Sequence, residues 1–590
     1  MTVESTQIRQ QAVSQGTVIT RNSVWRLSSG AGPALRIGVL VDNTYLERCF
    51  AAVLEDIRSS NFAKLEIILF RNHPPSASPA LYKGGVHTRA GTGRQFRHAL
   101  YNLYLSLDRH KKTPHDPLER IDCSELLSGI ESMRIDIAHA ENLSPESLLN
   151  LRSKGLDVIL NFSSDPVAGD IQTAARFGIW SYRYGDPALY RGESIEFWEM
   201  SENSPTATIA LETNSGAAAG KLVLGKSVFA RPKTASMAVS RFAPYWGASE
   251  LVIRKLNELH RFGWDYLGQH SLSPQPYQGK RLHYHAPGNA EMLRWLVPTI
   301  LKKSVVTRFH QPRVQHWKIG IRIGAKPLFE TESKADLAHF RWLEAPRGYF
   351  WADPFAFENQ DRLWMFFEEY SYQAKRAWIS AAEIGSDGQI GPSVRCLDTP
   401  GRHHSYPYIF RDGNDVFMIP EAYDSESVDL YRCLAFPHKW TPVANLLRGK
   451  FVDTSVWKHD GLWWMMTTNV DPNPLTACLF LFYSESLTGP WRFHPDNPIS
   501  CDVHNNRGAG KIFRTGERWI RPSQSCAPTY GYSFTLNEVV EISTARYRER
   551  PILTVTPSAW KALCAVHTYN WLRNVELIDA AAMLPLRAVR

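Results

Sequence analysis

Three carboxylates stand at comparable places in three separated stretches of the chain. Asp353 opens "ADPFAFENQDRLWMFFEE", Glu421 closes "SYPYIFRDGNDVFMIPE", and Asp453 opens "VDTSVWKHDGLWWMMTT". Brought together, such groups suit acid/base work on a sugar, because neighbouring charges hold one carboxyl protonated while another stays ionised. Polar residues that could bind a substrate lie nearby in the same stretches: Glu368, His404, Tyr406, Gln524 and Tyr532. Arg507 and Arg521 add guanidinium groups, which match phosphate or carboxylate. We expect Asp353, Glu421 and Asp453 to be catalytic and the others to bind substrate. The bland alternative is that the aspartates cap turns by accepting backbone N–H groups.

The elements that would position them are hairpins. In "SYPYIFRDGNDVFMIPE" two aromatic runs flank an Asp-Gly-Asn turn, a strong hairpin signal. Three further stretches, starting at Ala352, Val452 and Gly508, align with it without gaps. An aromatic recurs at Phe357, Phe410, Trp457 and Phe513, followed seven residues later by Trp364, Phe417, Trp464 and Ile520. Strand-only repeats of this length predict a β-propeller, and the flanking strands near 317–345 and 532–556 leave room for five blades. A β-sandwich of similar hairpins is the alternative. Constant pairing sums place Asp353 opposite Glu368, Tyr406 opposite Glu421, Asp453 opposite Thr468 and Ala509 opposite Gln524, each pair about 5 Å apart. These eight positions would ring one mouth of the central channel.

The first half reads differently. Buried strands at 35–42, 64–70, 134–141 and 156–162 alternate with helical patterns at 45–59 and 145–154. Such alternation predicts a parallel, Rossmann-like sheet covered by helices. The fold class is therefore an α/β domain followed by an all-β five-bladed propeller. Boundaries are expected at 1–33 for a flexible polar lead, 34–270 for the α/β domain, 271–334 for a basic linker, 335–556 for the propeller and 557–590 for a C-terminal extension.

Composition narrows the class. With 590 residues, 44% hydrophobic and 21% charged, the chain is too long for one core and too apolar for disorder. From Lys280 to Lys326 ten Lys/Arg face one acid, Glu291, which accounts for the net charge of +9. That segment either pairs with acids on flanking domains or meets an anionic membrane or phosphorylated substrate. A basic stretch confined to one segment and lacking a binding motif argues against nucleic acid. The eight cysteines show neither a CxxC pair nor a Cys/His cluster at metal spacing, so reduced thiols, no metal and a cytoplasmic location are expected. No signal peptide or membrane-spanning run is apparent, so any membrane contact would be at the inner face.

The run "WADPFAF…LWMFFEE", "HSYPYIF…VFMIPEAY", "FVDTSVW…LWWMMTT", "RGAGKIF…RPSQ" resembles the propeller-type N-terminal domain of glucosamine inositolphosphorylceramide transferases. More distantly it is similar to five-bladed propeller glycosidases, whose catalytic carboxylates come from inner-strand starts such as Ala-Asp-Pro at 352–354. Tyr406 stands where those glycosidases commonly carry another Asp. "RFGIWSYRYGDPALYRG" at 176–192 resembles the formyltransferase fold of methionyl-tRNA and sugar N-formyltransferases, through Gly178, Leu189, Tyr190, Arg191 and Gly192. That likeness implies 10-formyltetrahydrofolate as cofactor. Ser181 and Arg183 replace the family's Asn-x-His pair, and "TNSGAAAG" replaces its Asp. Arginine cannot act as a base near neutral pH. The expected function is a glycan- or glycolipid-modifying transferase, moving a sugar or a formyl/acyl group to an activated or lipid-linked sugar in surface polysaccharide assembly. Propeller glycoside hydrolysis, or a non-catalytic glycan binder carrying a pseudo-formyltransferase, are the alternatives.

Overall fold

The computed structural model describes residues 17–18, 26–72, 96–108, 116–135, 143–163, 167, 169–214, 221–273, 275–309, 312–324, 326–331, 337–470, 477–557 and 562–589. The chain divides into two units, Thr20–Phe309 and a second made of Met1–Ile19 with His310–Arg590.

The first unit is built on a seven-stranded sheet. Across it run Lys221–Ala230, Thr206–Asn214, Ile179–Tyr184, Val158–Asn161, Leu35–Val41, Ala63–Arg71 and Glu131–Ile135. The last five strands in that order are mutually parallel, and the first two add an antiparallel hairpin. Parallel strands covered on both faces must be apolar throughout, and Ile37, Val39, Leu40, Ile67, Leu69 and Ile159 are fully buried. Helices Arg48–Ser59 and Pro145–Ser153 fall where periodicity places them. The second is capped by the Ser144 side chain, which accepts from the Ser147 N–H, with proline in its first turn. The expected strand at 134–141 is observed over Glu131–Ile135; 136–142 and the "SGAAAG" segment at 215–220 lie outside the described residues, as does most of the N-terminal lead.

The second unit is a five-bladed propeller. Blade 1 holds Tyr349–Asn359, Arg362–Ser371, Arg376–Ile384 and Val394–Leu397. Blade 2 holds Ser405–Asp412, Asp415–Glu421, Ser427–Ala435 and Lys439–Arg448, to whose outer edge Thr17–Val18 adds in parallel. Blade 3 holds Phe451–His459, Leu462–Asn469, Cys478–Ser484 and Arg492–Phe493. In blade 4 the inner strand is split into Arg507–Gly508 and Phe513–Thr515, followed by Arg518–Ser525, Ser533–Ile542 and Tyr547–Val555. Blade 5 joins both ends of the unit: Tyr569–Leu572 and Val575–Pro585 form its inner pair, and Arg313–Ile323 and Arg341–Leu343 its outer pair. Parts of the expected basic linker and of the expected C-terminal extension are thus strands of the closing blade. The rest of the linker contains the helix Asn289–Phe309 of the first unit.

Aromatics seal the blades against one another. Phe436 of blade 2 packs on Phe357, Trp364 and Phe366 of blade 1. Trp457, Trp464 and Met466 of blade 3 meet Ile512 and Tyr547 of blade 4. The high tryptophan content of this half reflects these interblade layers.

One cysteine expectation is corrected. Cys478 and Cys501 are joined as a disulfide, with Cα atoms 4.6 Å apart. Neither sits in a recognisable spacing pattern; the pairing arises because Leu479 and Ser500 bridge antiparallel beside them. Peptide mapping of alkylated, unreduced protein should recover Cys478 and Cys501 as one cross-linked pair. Replacing both with serine should lower unfolding free energy by about 3 kcal/mol, the loop entropy of such a closure.

Candidate active site at the propeller mouth

The hairpins pair in the expected register at their turn ends: Phe357 with Trp364, Phe410 with Phe417, Trp457 with Trp464 and Phe513 with Ile520. At the mouth the register slips. Glu368 faces Ala352, not Asp353; Glu421 faces Ser405, not Tyr406; Thr468 faces Val452, not Asp453. In blade 4, Gln524 faces Arg507, not Ala509. The cause is a one-residue bulge in blades 1 to 3, where Asp353, Tyr406 and Asp453 adopt left-handed φ values of 48°, 45° and 54°. A bulge removes its residue's N–H from the ladder. Each freed N–H is taken by a carboxylate of the preceding blade: Asp353 N–H donates to Asp579 Oδ2 (2.9 Å), Tyr406 N–H to Asp353 Oδ2 (3.2 Å) and Asp453 N–H to Glu421 Oε2 (3.2 Å). Asp353, Glu421 and Asp453 therefore lie in one chain of interblade contacts, continued by Arg507 of blade 4, whose Nε donates to Asp453 Oδ2 at 2.7 Å.

Burial sets the protonation of this cluster. Burial first, then Asp453, pushes the Glu421 carboxyl up to about 8 despite Arg507; Asp353 adds to the rise. Burial likewise raises Asp353, to about 7, with His567 opposing and Glu368, Asp579 and Asp453 reinforcing the shift. Among the described residues Glu421 Oε1 accepts no hydrogen bond, so this carboxyl keeps one oxygen for a ligand. Arg507 also lies under the ring of Tyr530, 5.1 Å from its centroid.

Blade 5 completes the site with residues that the sequence reading missed. Asp579 is fully buried, and its Oδ1 accepts from the His567 and Thr568 backbone N–H groups and lies 2.7 Å from His567 Nδ1. His567 Nε2 is 3.4 Å from Asp353 Oδ1, and the Thr568 hydroxyl is 3.1 Å from Asp353 Oδ1 and 2.9 Å from Asp579 Oδ2. Burial disfavours a charged imidazole, but Asp579 outweighs it, and the His567 ring is pushed up to about 9. Asp353, His567 and Asp579 bring ligand-type atoms within 4.8 Å of one another. Both Asp579 oxygens are already met by N–H and O–H donors, so the trio suits proton handling better than a cation. Its sequence signal was the hairpin "TYNWLRNVELID", whose Arg-Asn turn is weaker than Asn-Gly and which stood beyond the recognised repeats.

The remaining expected residues divide. Glu368 is at the mouth, 3.3 Å from His403 Nε2; His403, missed by the sequence reading, accepts the Ala377 N–H on Nδ1 and is raised by Glu368 against the cost of burial. Its neighbour His404 is buried, held by Thr399 Oγ1 at 3.0 Å, and lowered by burial and by Arg402 to about 4, so it is a packing residue. Gln524 bonds the Gly508 carbonyl at 2.9 Å. Tyr530, not Tyr532, lies over Arg507. Tyr406 is 1% exposed, and its hydroxyl bonds both the N–H and the carbonyl of Gly510, so it forms the channel floor. Arg521 is engaged by both oxygens of Glu549 and by the Asn505 carbonyl, and does not serve as a free anion site.

In the first unit, Arg183 is paired with Glu212 (3.3 Å) and the Tyr190 carbonyl (3.1 Å), while Ser181 Oγ lies 3.4 Å from Asn161 Nδ2. Tyr190 is buried, and Arg191 covers the Tyr277 ring at 4.3 Å. A guanidinium neutralised within its own sheet does not fit the polarising or proton-moving role that a formyl-folate requires. No step is assigned to that cofactor.

Comparison with known proteins finds relatives for parts of the chain. Residues 342–579 match the family described as glucosamine inositolphosphorylceramide transferase 1, N-terminal. The glucosamine inositolphosphorylceramide transferase 1 of Oryza sativa subsp. japonica is 30% identical over 257 residues, 40% of this chain, and that of Arabidopsis thaliana 28% over 204 residues, 34% of this chain. The chain spans about a third of the length of these relatives, 34% and 27%. Among solved structures, glycinamide ribonucleotide transformylase 1 from Symbiobacterium toebii is similar at 11% identity and TM-score 0.26, over 40% of this chain and 93% of that one. A family 117 glycoside hydrolase of Zobellia galactanivorans is similar at 9% identity and TM-score 0.30, over 46% of this chain and 91% of that one. The chain thus carries a domain homologous to these transferases.

Two outcomes follow from the geometry. A carboxyl with a raised folded pKa favours the fold below its unfolded value, and that contribution is lost as pH rises through the folded value. Glu421→Gln should therefore match wild type in melting temperature near pH 4 and exceed it by several degrees above pH 8, in a thermal scan across pH. Arg521→Met should strand Glu549 and cost about 3–5 kcal/mol in a denaturant titration.

Proposed function

We propose that the propeller catalyses glycosyl transfer, moving a sugar from an activated donor to a hydroxyl of a glycolipid or lipid-linked glycan. The observation that carries this reading is the pair of carboxyls, Glu421 and Asp353, raised to about 8 and about 7 at one mouth beside the Asp453–Arg507 ion pair. Homology to transferases named for inositolphosphorylceramide supports the substrate class. Between those two values Glu421 is mostly protonated and Asp353 mostly ionised. Glu421 gives its proton to the departing oxygen as the donor's anomeric C–O bond breaks. Asp353 takes the proton of the acceptor hydroxyl as the new C–O bond forms. His567, fixed by Asp579 and already protonated, faces Asp353 and stabilises its ionised form before the proton arrives. Arg507 has five N–H donors and uses one on Asp453, leaving capacity for a phosphate or an acidic sugar. Tyr530 over the guanidinium offers a ring face to the sugar.

The test is product formation with nucleotide-sugar and polyprenyl-phosphate-sugar donors on glycolipid acceptors. Rate against pH should be bell-shaped, with its maximum between about 7 and 8. Glu421→Gln and Asp353→Asn should each lower kcat by about 10²–10⁴, with folding retained because an amide oxygen still accepts the interblade N–H. Release of free sugar from an aryl glycoside, with no transfer product, would replace this reading with hydrolysis. Ligand-induced stabilisation with no turnover of any donor would replace it with a glycan-binding role.

A further inference from the structure

The helix Asn289–Phe309 of the first unit exposes a stripe of large apolar side chains where a soluble helix normally carries polar ones. Leu293, Val297, Ile300 and Leu301 are about half exposed or more, at 52%, 49%, 58% and 59%. Their spacing of four, seven and eight residues places them on one face. The opposite face is already packed: Met292 is buried, and Trp295 meets Tyr104 and Phe197 edge-on, each at 5.4 Å. A second helix, Ala99–Asp108, runs alongside. Its start is tied to the first helix by Leu100 N–H donating to Asn289 Oδ1 (3.0 Å) and Asn289 Nδ2 donating to the Phe96 carbonyl (2.6 Å). It too exposes leucines, Leu103 and Leu107, with Phe96 just before it. Six large apolar residues on two adjoining helices, with Phe96 just before the second, therefore face solvent, more than the scattered exposure of an ordinary surface.

Charge identifies the occupant. The two helices hold only two acids, and neither is available: Glu291 is taken by Arg281 (2.7 Å) and the Gly288 N–H (2.9 Å), and Asp108 is buried, accepting the Ala238 N–H (2.8 Å). Arg97 and Arg294 are exposed beside the leucines, and the longer helix continues in sequence through Lys302, Lys303 and Arg308. A second copy meeting this face across a two-fold axis would bring basic residues against basic residues. An anionic lipid surface takes apolar side chains into its acyl boundary and Lys/Arg at its headgroups. No helix among the described residues is long and apolar enough to cross a membrane, so the helices would lie on the surface.

We propose that these two helices form a docking face for anionic membrane, holding the chain at the surface where a lipid-linked substrate resides. The observations behind it are independent of the propeller chemistry, so either can fail alone.

The experiment is co-sedimentation of the full chain with phosphatidylcholine vesicles, with and without phosphatidylglycerol. Wild type should bind only the anionic vesicles, less as salt rises. Leu293→Ser/Ile300→Ser should weaken binding at least about tenfold through lost apolar burial, and Arg294→Glu about fivefold through the headgroup term. All three positions are exposed, so melting temperatures should be unchanged. Equal binding to neutral vesicles, no binding by wild type, or a dimer in sedimentation velocity that the serine variant dissolves would each overturn the proposal.

Discussion

Three left-handed residues at the starts of inner strands govern the site. A non-glycine residue at positive φ costs on the order of 1–3 kcal/mol, and persists where its surroundings hold it. Here the hold is specific: each bulged N–H of Asp353, Tyr406 and Asp453 is received by a carboxylate one blade earlier. The carboxylates that converge on the axis are therefore part of how neighbouring blades are fastened. Capping does not use up the carboxyl, because one oxygen of Glu421 accepts the Asp453 N–H while the other accepts no hydrogen bond among the described residues. Asn and Gln separate the two roles, since they keep an acceptor and lose the proton chemistry.

Concentrating acids at one mouth has an electrostatic cost that the surrounding residues limit in three ways. Arg507 neutralises Asp453, and His567 sits between Asp579 and Asp353. Tyr406 supplies a neutral hydroxyl rather than a further acid, and spends it on both backbone groups of Gly510. What is left unneutralised is shared by Glu421 and Asp353, and both respond by holding protons near neutral pH. The poise of the pair is thus a property of the whole ring, which is why blade 5, closed by strands from both ends of the unit, contributes to it.

The repeat was legible in sequence because aromatic pairs such as Phe357 and Trp364 recur at fixed spacing, and those pairs hold the observed register. Convergence of Asp353, Glu421 and Asp453 followed from it. The bulge was not legible: Asp353 reads as an ordinary strand start, and nothing in "ADPF" announces positive φ. One bulged residue in each blade, Asp353 in the first and Tyr406 in the second, moved Glu368 and Glu421 by one partner each. Blade 5 escaped for another reason. A blade built from Arg313–Ile323 and Val575–Pro585 has no contiguous repeat to align, so its His567 and Asp579 stood outside the pattern. The disulfide depends on a long-range bridge at Leu479 and Ser500, which spacing alone does not encode. Neighbouring residues of like type, His403 and His404 or Tyr530 and Tyr532, were separable only by the direction of the backbone.

In the first unit the sheet and the residues at the resemblance's site positions are separable. Its parallel core is intact, with Leu40, Ile67 and Ile159 fully buried, so the fold owes nothing to the substituted positions. At those positions Arg183 turns to Glu212 and to the Tyr190 carbonyl, partners within its own unit. A charge satisfied in that way is a stabilising contact and a poor catalyst, because any ligand must first displace the carboxylate. The features of this unit that remain unexplained by packing lie outside its sheet, on helices whose outward side chains are apolar and whose acids are already paired. Large apolar side chains left against water cost free energy in proportion to their area, so this face gains from any partner that covers it.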